Sequence, residues 1–297
     1  MALTRVEALR GHLAMLTFSG LVAGSFSFGK LIANDIDPAA LTALRFALAG
    51  GLIGAAAALG PGLRAHRFRA PWRFVILGGL FGAYFVLMFE ALKTAEPVAT
   101  AAIFTLTPVM AAGFGWLFLR QTMTGRMGLA LAVGAAGALW VIFRGDPAAL
   151  IAFDLGRGEA VFFVAALAHA AYTPLVRKFN RGEPALVFTF GMMMAALVLL
   201  LIYGLPSIRA TDWAALPARV WWVVLYLAIF TSAVTFVLLQ YAAMRLPSAK
   251  VMAYTYLTPS WVIGWEIALG NAAPRGLVLG GIGLTVVALV LLLKEDG

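Results

Sequence analysis

The chain has 297 residues and no cysteine. It can form no disulfide, no thiolate metal site and no cysteine nucleophile, which excludes a disulfide-stapled scaffold and all thiol-dependent catalysis. Charge is also scarce. Asp, Glu, Lys and Arg make up 12% of the residues, against about 25% in soluble domains. A chain of this size cannot build a soluble skin from so few charges. Histidine occurs three times, and there is no His-Glu-x-x-His pattern. A membrane enzyme would therefore lack a clustered nucleophile, metal site or acid pair. No metal and no cofactor are expected.

Hydrophobic residues supply 63% of the chain. They fall in continuous runs of about 20, the length that crosses a bilayer as a helix. Alternation, the mark of a transmembrane barrel, is absent. The expected fold is an all-α integral membrane protein of ten spans: 11–33, 38–60, 71–92, 98–118, 125–143, 159–178, 184–204, 219–243, 249–269 and 275–293. Short polar or Gly/Pro breaks separate them, as at Asn34-Asp35-Ile36-Asp37-Pro38. The N-terminal apolar run continues past its small residues to Ile32, so it reads as a retained span and not a cleaved leader.

The net charge of +9 fits a basic membrane protein and needs no nucleic acid. Lys and Arg gather on alternate loops. Arg64, Arg67, Arg69, Arg73, Arg177, Lys178, Arg181 and Lys294 belong to the rich side. Lys93, Arg144, Arg157, Arg209, Arg219 and Arg275 form the poor side, with Asp35, Glu96, Asp154 and Asp212 among its acids. The positive-inside rule then puts both termini in the cytoplasm, which an even span count permits. A bacterial inner membrane is the expected location.

Leu106-Thr107-Pro108 recurs as Leu257-Thr258-Pro259, each in the fourth span of its half. Ala91 and Ala242, Ala102 and Ala253, and Gly113 and Gly264 match at the same offset. This reads as a duplication, with repeats at 1–145 and 146–297. Five spans is an odd number, so the second copy is inverted. Inverted repeats can rock about a central cavity and expose it to either side.

Ala23-Gly24-Ser25-Phe26-Ser27-Phe28-Gly29-Lys30, Ala43-Leu44-Arg45-Phe46 and Ala91-Leu92-Lys93 before Leu106-Thr107-Pro108 resemble the EamA family of the drug/metabolite transporter superfamily. The likeness runs over nearly the whole chain, in two copies. It implies ten helices and small-molecule transport, usually export. Within the family the chain is most similar to bacterial exporters of aromatic and other amino acids. Exporters of drugs or organic cations belong to the same family. The implied partners are a small-molecule substrate and the lipid bilayer, with no nucleotide. A monomer is compatible with all of this.

Gly24 to Leu31 nearly spells a phosphate-binding loop, but Leu31 stands where Ser or Thr must bind magnesium, and no strand precedes it. The prolines say more. Pro108 and Pro259 each free a carbonyl in mid-span, either as static kinks or as paired hinges. Thr107 and Thr258 can re-satisfy those regions. Lys30, Arg45, Glu90 and Glu266 are charges inside spans, expected to pair or to couple transport. Lys30 is near enough to its span end to snorkel. Arg45 is deeper, and a carboxylate partner is the favoured reading. His169 is the one histidine in mid-span; it stands where the family often has Trp, which implies cavity lining. It is otherwise a core histidine or a proton carrier. Tyr84, Thr107, His169, Tyr254 and Thr258 form the candidate substrate cavity near the midplane.

Overall fold

The computed structural model describes residues 5–152, 155–274 and 276–293. Asp154, Arg275 and Lys294 of the charge count lie outside the described residues, as does the first residue of the tenth expected span. The first half holds α1 (Arg5–Ile32), α2 (Pro38–Leu59), α3 (Trp72–Leu92), α4 (Pro97–Phe104), α5 (Thr107–Leu119) and α6 (Gly125–Ile142). The second follows the short α7 (Pro147–Ala152). It holds α8 (Arg157–Phe179), α9 (Ala185–Tyr203), the short α10 (Leu205–Ala210), α11 (Ala218–Ala228), α12 (Thr235–Ala243), α13 (Ser248–Ala253), α14 (Thr258–Ala268) and α15 (Gly276–Leu293). The helices start where the sequence supplies caps. Asp37 accepts from the backbone N–H of Ala39 and Ala40, and Pro38 opens α2, where the N–H it lacks is one a first turn leaves unpaired. Thr124 caps α6 in the same way.

Nine helical segments among the described residues are long and apolar enough to cross a membrane, with α4–α5 and α11–α12 each counted as one. The expected ninth span is the exception. It is broken into α13, a tight 3-10 turn over Tyr254–Leu257, and α14. The eighth span also has a defect, a π turn over Ile229–Val234 between α11 and α12.

Packing follows the repeat. Helix α6 lies on α15, and α2 on α9. Helix α3 packs on α8 as α12 packs on α1, and α5 packs on α8 as α14 packs on α1. Two ion pairs carry the same relation. Arg73 opens the third span of the first half, and its Nη2 reaches Glu183 Oε1 at 2.8 Å. Arg219 opens the third span of the second half, and its Nε reaches Asp35 Oδ2 at 2.8 Å. Each carboxylate lies in the loop between the first two spans of the other half. Chain direction puts the Arg73–Glu183 pair on the face where α1 begins and the Arg219–Asp35 pair on the face where α1 ends. The halves are thus related by inversion.

Gly137 and Gly281 mark the closest approach of α6 and α15. A Cβ on Gly137 would lie 2.6 Å from the Gly281 carbonyl oxygen, and one on Gly281 would lie 2.8 Å from that of Gly137. Only glycine permits backbones this close.

Candidate functional site

Rings from both halves meet in the core. Tyr84 and His169 lie 4.7 Å apart, centroid to centroid. Phe104 sits 5.1 Å from His169 and 6.0 Å from Tyr84, on which it stacks. Phe81 is 5.3 Å from His169, and Phe162 is 6.2 Å from Tyr84. Phe26 closes the cluster, 5.6 Å from both Phe104 and Phe162. Thus α1, α3, α4 and α8 each contribute. Tyr84 and His169 are each 1% exposed. The Tyr84 hydroxyl and His169 Nδ1 have no hydrogen-bond partner among the described residues. Two such groups in an apolar core are costly, at about 1–3 kcal/mol each. Native structures leave few buried polar atoms unpaired.

The EamA-like transporter family model matches residues 9–143 and again 156–294. The chain belongs to this family. It is 24% identical over 281 residues to the uncharacterized transporter YyaM of Bacillus subtilis (strain 168), covering 93% of this chain and 92% of that one. A protein of known crystal structure shares the fold, with a TM-score of 0.73, 23% identity and 98% coverage of both chains.

Other candidate residues of the transporter sit apart from Tyr84 and His169 to different degrees. Thr107 lies one turn beyond Phe104, and its hydroxyl donates to the Phe104 carbonyl at 2.7 Å. That is the carbonyl Pro108 leaves free, so the expected re-satisfaction is seen here. Thr107 Oγ1 also lies 3.1 Å from Thr255 Oγ1, where the two broken helices cross. Thr258 behaves differently: its hydroxyl is buried and has no partner among the described residues. Tyr254 faces His12, with centroids 6.0 Å apart, closer to the face where α1 begins.

Neither proline kinks a continuous helix. Pro108 and Pro259 stand in the first turns of α5 and α14, just after each span has broken. The missing N–H is one that a first turn leaves unpaired anyway. The breaks therefore lie at residues 105–106 and 254–257, ahead of the prolines.

Three of the four intramembrane charges lie near span ends and pair locally. Lys30 donates to the Ala95 carbonyl at 2.9 Å and approaches Glu96. Lys93 donates to Glu90 at 2.6 Å, and Asn271 donates to Glu266 at 2.7 Å. Arg45 differs. It is fully buried, and no carboxylate among the described residues contacts it. The expected carboxylate partner is replaced by hydroxyls and carbonyls of the π turn: Ser232 Oγ at 2.7 Å, with the Thr231 hydroxyl and carbonyl at 3.1 Å each. A π turn adds a residue to its ring and so re-aims neighbouring side chains, a device common at functional sites. Nothing in the residue pattern of 229–234 signalled it.

Arg73 was also legible only as a loop charge. It is 1% exposed and donates to Glu183, to the Arg69 carbonyl at 2.8 Å and to the Phe179 carbonyl. Burial pushes the Glu183 carboxyl up. Hydrogen bonds from Arg73 and from the Arg181 N–H outweigh this and hold it below its ordinary value. Asp35 is held low chiefly by its hydrogen bond from Arg219. Cavities open toward both faces. One of 330 Å³ includes Thr94, Arg144, Arg157 and Glu159; one of 190 Å³ includes Gln121, Arg177 and Ala249.

Proposed function

We propose that this transporter exports small neutral amino acids, aromatic ones among them, across a bacterial inner membrane by alternating access. The repeats 1–145 and 146–297 rock against each other, with both termini in the cytoplasm. One observation carries the reading: an aromatic core drawn from both halves holds the unpartnered Tyr84 hydroxyl and His169 Nδ1. Flat apolar side chains suit the rings, and the two polar atoms suit a substrate's polar end. Thr107, Thr258 and Tyr254 extend the path along the broken spans, and Pro108 and Pro259 fix the hinges at those breaks.

Organic cations also suit aromatic faces. The buried Arg45 guanidinium beside this cluster weighs against them, because like charge repels within a medium of low polarity. The test is flux of phenylalanine, tryptophan, methionine and threonine into proteoliposomes containing wild type or His169→Ala. The variant is expected to change the ranking of the four while its thermal melt stays within a few degrees. An unchanged ranking at unchanged flux would return His169 to a packing role.

A further inference from the structure

Arg45 is a buried charge whose own protein leaves it incompletely satisfied. It lies about 10 Å into α2 from Pro38, at 1.5 Å per residue, and is 0% exposed. Nε donates to Ser232 Oγ at 3.0 Å. Nη2 donates to that oxygen, to Thr231 and to the Leu227 carbonyl. Every one of these acceptors is neutral. Nη1 is buried with no acceptor among the described residues. Desolvating a guanidinium without a counter-ion is costly, and the cost is relieved when an anion binds.

The cation is continuous with the transport cluster. Its Cζ lies 4.0 Å from the centroid of Phe85. The Phe85 ring lies 4.6 Å from that of Tyr84, and Tyr84 lies 4.7 Å from His169. Three neighbouring helices, α2, α3 and α8, thus each bring one buried polar atom without a partner: Arg45 Nη1, the Tyr84 hydroxyl and His169 Nδ1.

We propose that Arg45 is the carboxylate receptor of the substrate site, with Nη1 donating to the carboxylate. This rests on the reading of the Tyr84–His169 cluster as the transport site, and it names the group the substrate must carry. One guanidinium balances one negative charge. A monocarboxylate fits; a dianionic phosphate would lack a second cation. The ammonium of a zwitterion can lie on the faces of Phe104 and Phe162. The π turn has a stated part: it spends Ser232 and Thr231 on Nε and Nη2 and so fixes the guanidinium plane, leaving Nη1 for the ligand.

The experiment compares matched ligands that differ only at the carboxyl or amino group. Purified transporter is titrated with phenylalanine, phenylalaninamide, 3-phenylpropionate and phenethylamine, and binding is read by intrinsic fluorescence. Flux of the labelled forms is measured in proteoliposomes. Wild type is expected to bind phenylalanine about 10- to 100-fold tighter than its amide, the range for a charge-assisted hydrogen bond. Arg45→Gln should erase the difference. Arg45→Lys keeps the charge without the planar fork and should keep only part of it. Arg45 also braces the π turn, so if Arg45→Gln misfolds, the wild-type ligand pairs decide the matter. Equal affinity of wild type for acid and amide overturns the proposal, and so does failure of both carboxylates to bind. Flux of phenylalanine with no acid–amide preference would overturn the Arg45 role while keeping the amino-acid reading. Arg45-dependent binding of 3-phenylpropionate without any phenylalanine flux would keep the Arg45 role and overturn the amino-acid reading.

Discussion

Glu183→Gln and Asp35→Asn remove the negative members of two pseudo-symmetric ion pairs, and burial makes their consequences unequal. The Arg73 and Glu183 side chains are 2% and 7% exposed, whereas the Arg219 side chain is 60% exposed. Taking away one partner of a buried pair strands a charge, at about 3–5 kcal/mol. Arg73 keeps its carbonyl acceptors at Arg69 and Phe179, so the loss should fall near the low end, about 3 kcal/mol. Arg219 is rehydrated when Asp35 is neutralised, and no loss is expected above measurement error. Unfolding of each purified variant in detergent, followed by tryptophan fluorescence, reads both. The pH dependence has a definite sign. Glu183 is held below its ordinary value of 4.5 in the folded protein. Its contribution is therefore complete above that range and is lost as pH falls through the lowered value. The gap between wild type and Glu183→Gln should be flat from about pH 6 upward and close on acidification. Equal losses in the two variants, or a gap that widens toward acid, would refute the burial argument.

Gly281→Ala should destabilise the protein by about 2 kcal/mol or more, as overpacking against backbone does, because the new Cβ meets the Gly137 carbonyl at 2.8 Å; the same substitution at Gly283, which has open space around it, is the control in the same melt. Pro108→Ala and Pro259→Ala should lower flux more than folded yield, since Ala at either position supplies an N–H that can bond the carbonyl one turn back, across the break; parallel loss of yield and flux would favour a static role. A cysteine at position 66 should resist impermeant thiol reagents in intact cells and one at position 212 should react. Both positions are exposed, and the chain has no native cysteine to confuse the result.

Much of the architecture was legible because a bilayer enforces simple rules. Length and hydrophobicity locate spans without tertiary context, and Leu106-Thr107-Pro108 against Leu257-Thr258-Pro259 exposed the repeat. The same tripeptides drew attention to the prolines. The actual breaks precede them, because local turns over 105–106 and 254–257 have no pattern as plain as a proline. The pairing of Tyr84 with His169 could be anticipated from their mid-span positions. Its dependence on Phe26, Phe104 and Phe162 could not, since phenylalanines in a membrane helix face lipid and core with equal ease. Arg45 shows the limit most clearly. Depth was readable from its place in α2, but its partners Thr231 and Ser232 lie more than 180 residues away, on a turn whose π geometry depends on packing. The Arg73–Glu183 pair was hidden for the same reason: a loop arginine becomes buried only once α3 meets α8.

The most direct measurement is counterflow of labelled phenylalanine in proteoliposomes made with purified wild-type protein, beside Tyr84→Phe and protein-free vesicles. Saturable, protein-dependent uptake is expected, accelerated by unlabelled phenylalanine on the far side and reduced by Tyr84→Phe, with no nucleotide supplied. Uptake no faster than in protein-free vesicles, for phenylalanine and for the other neutral amino acids alike, would contradict amino-acid transport through the Tyr84–His169 cluster.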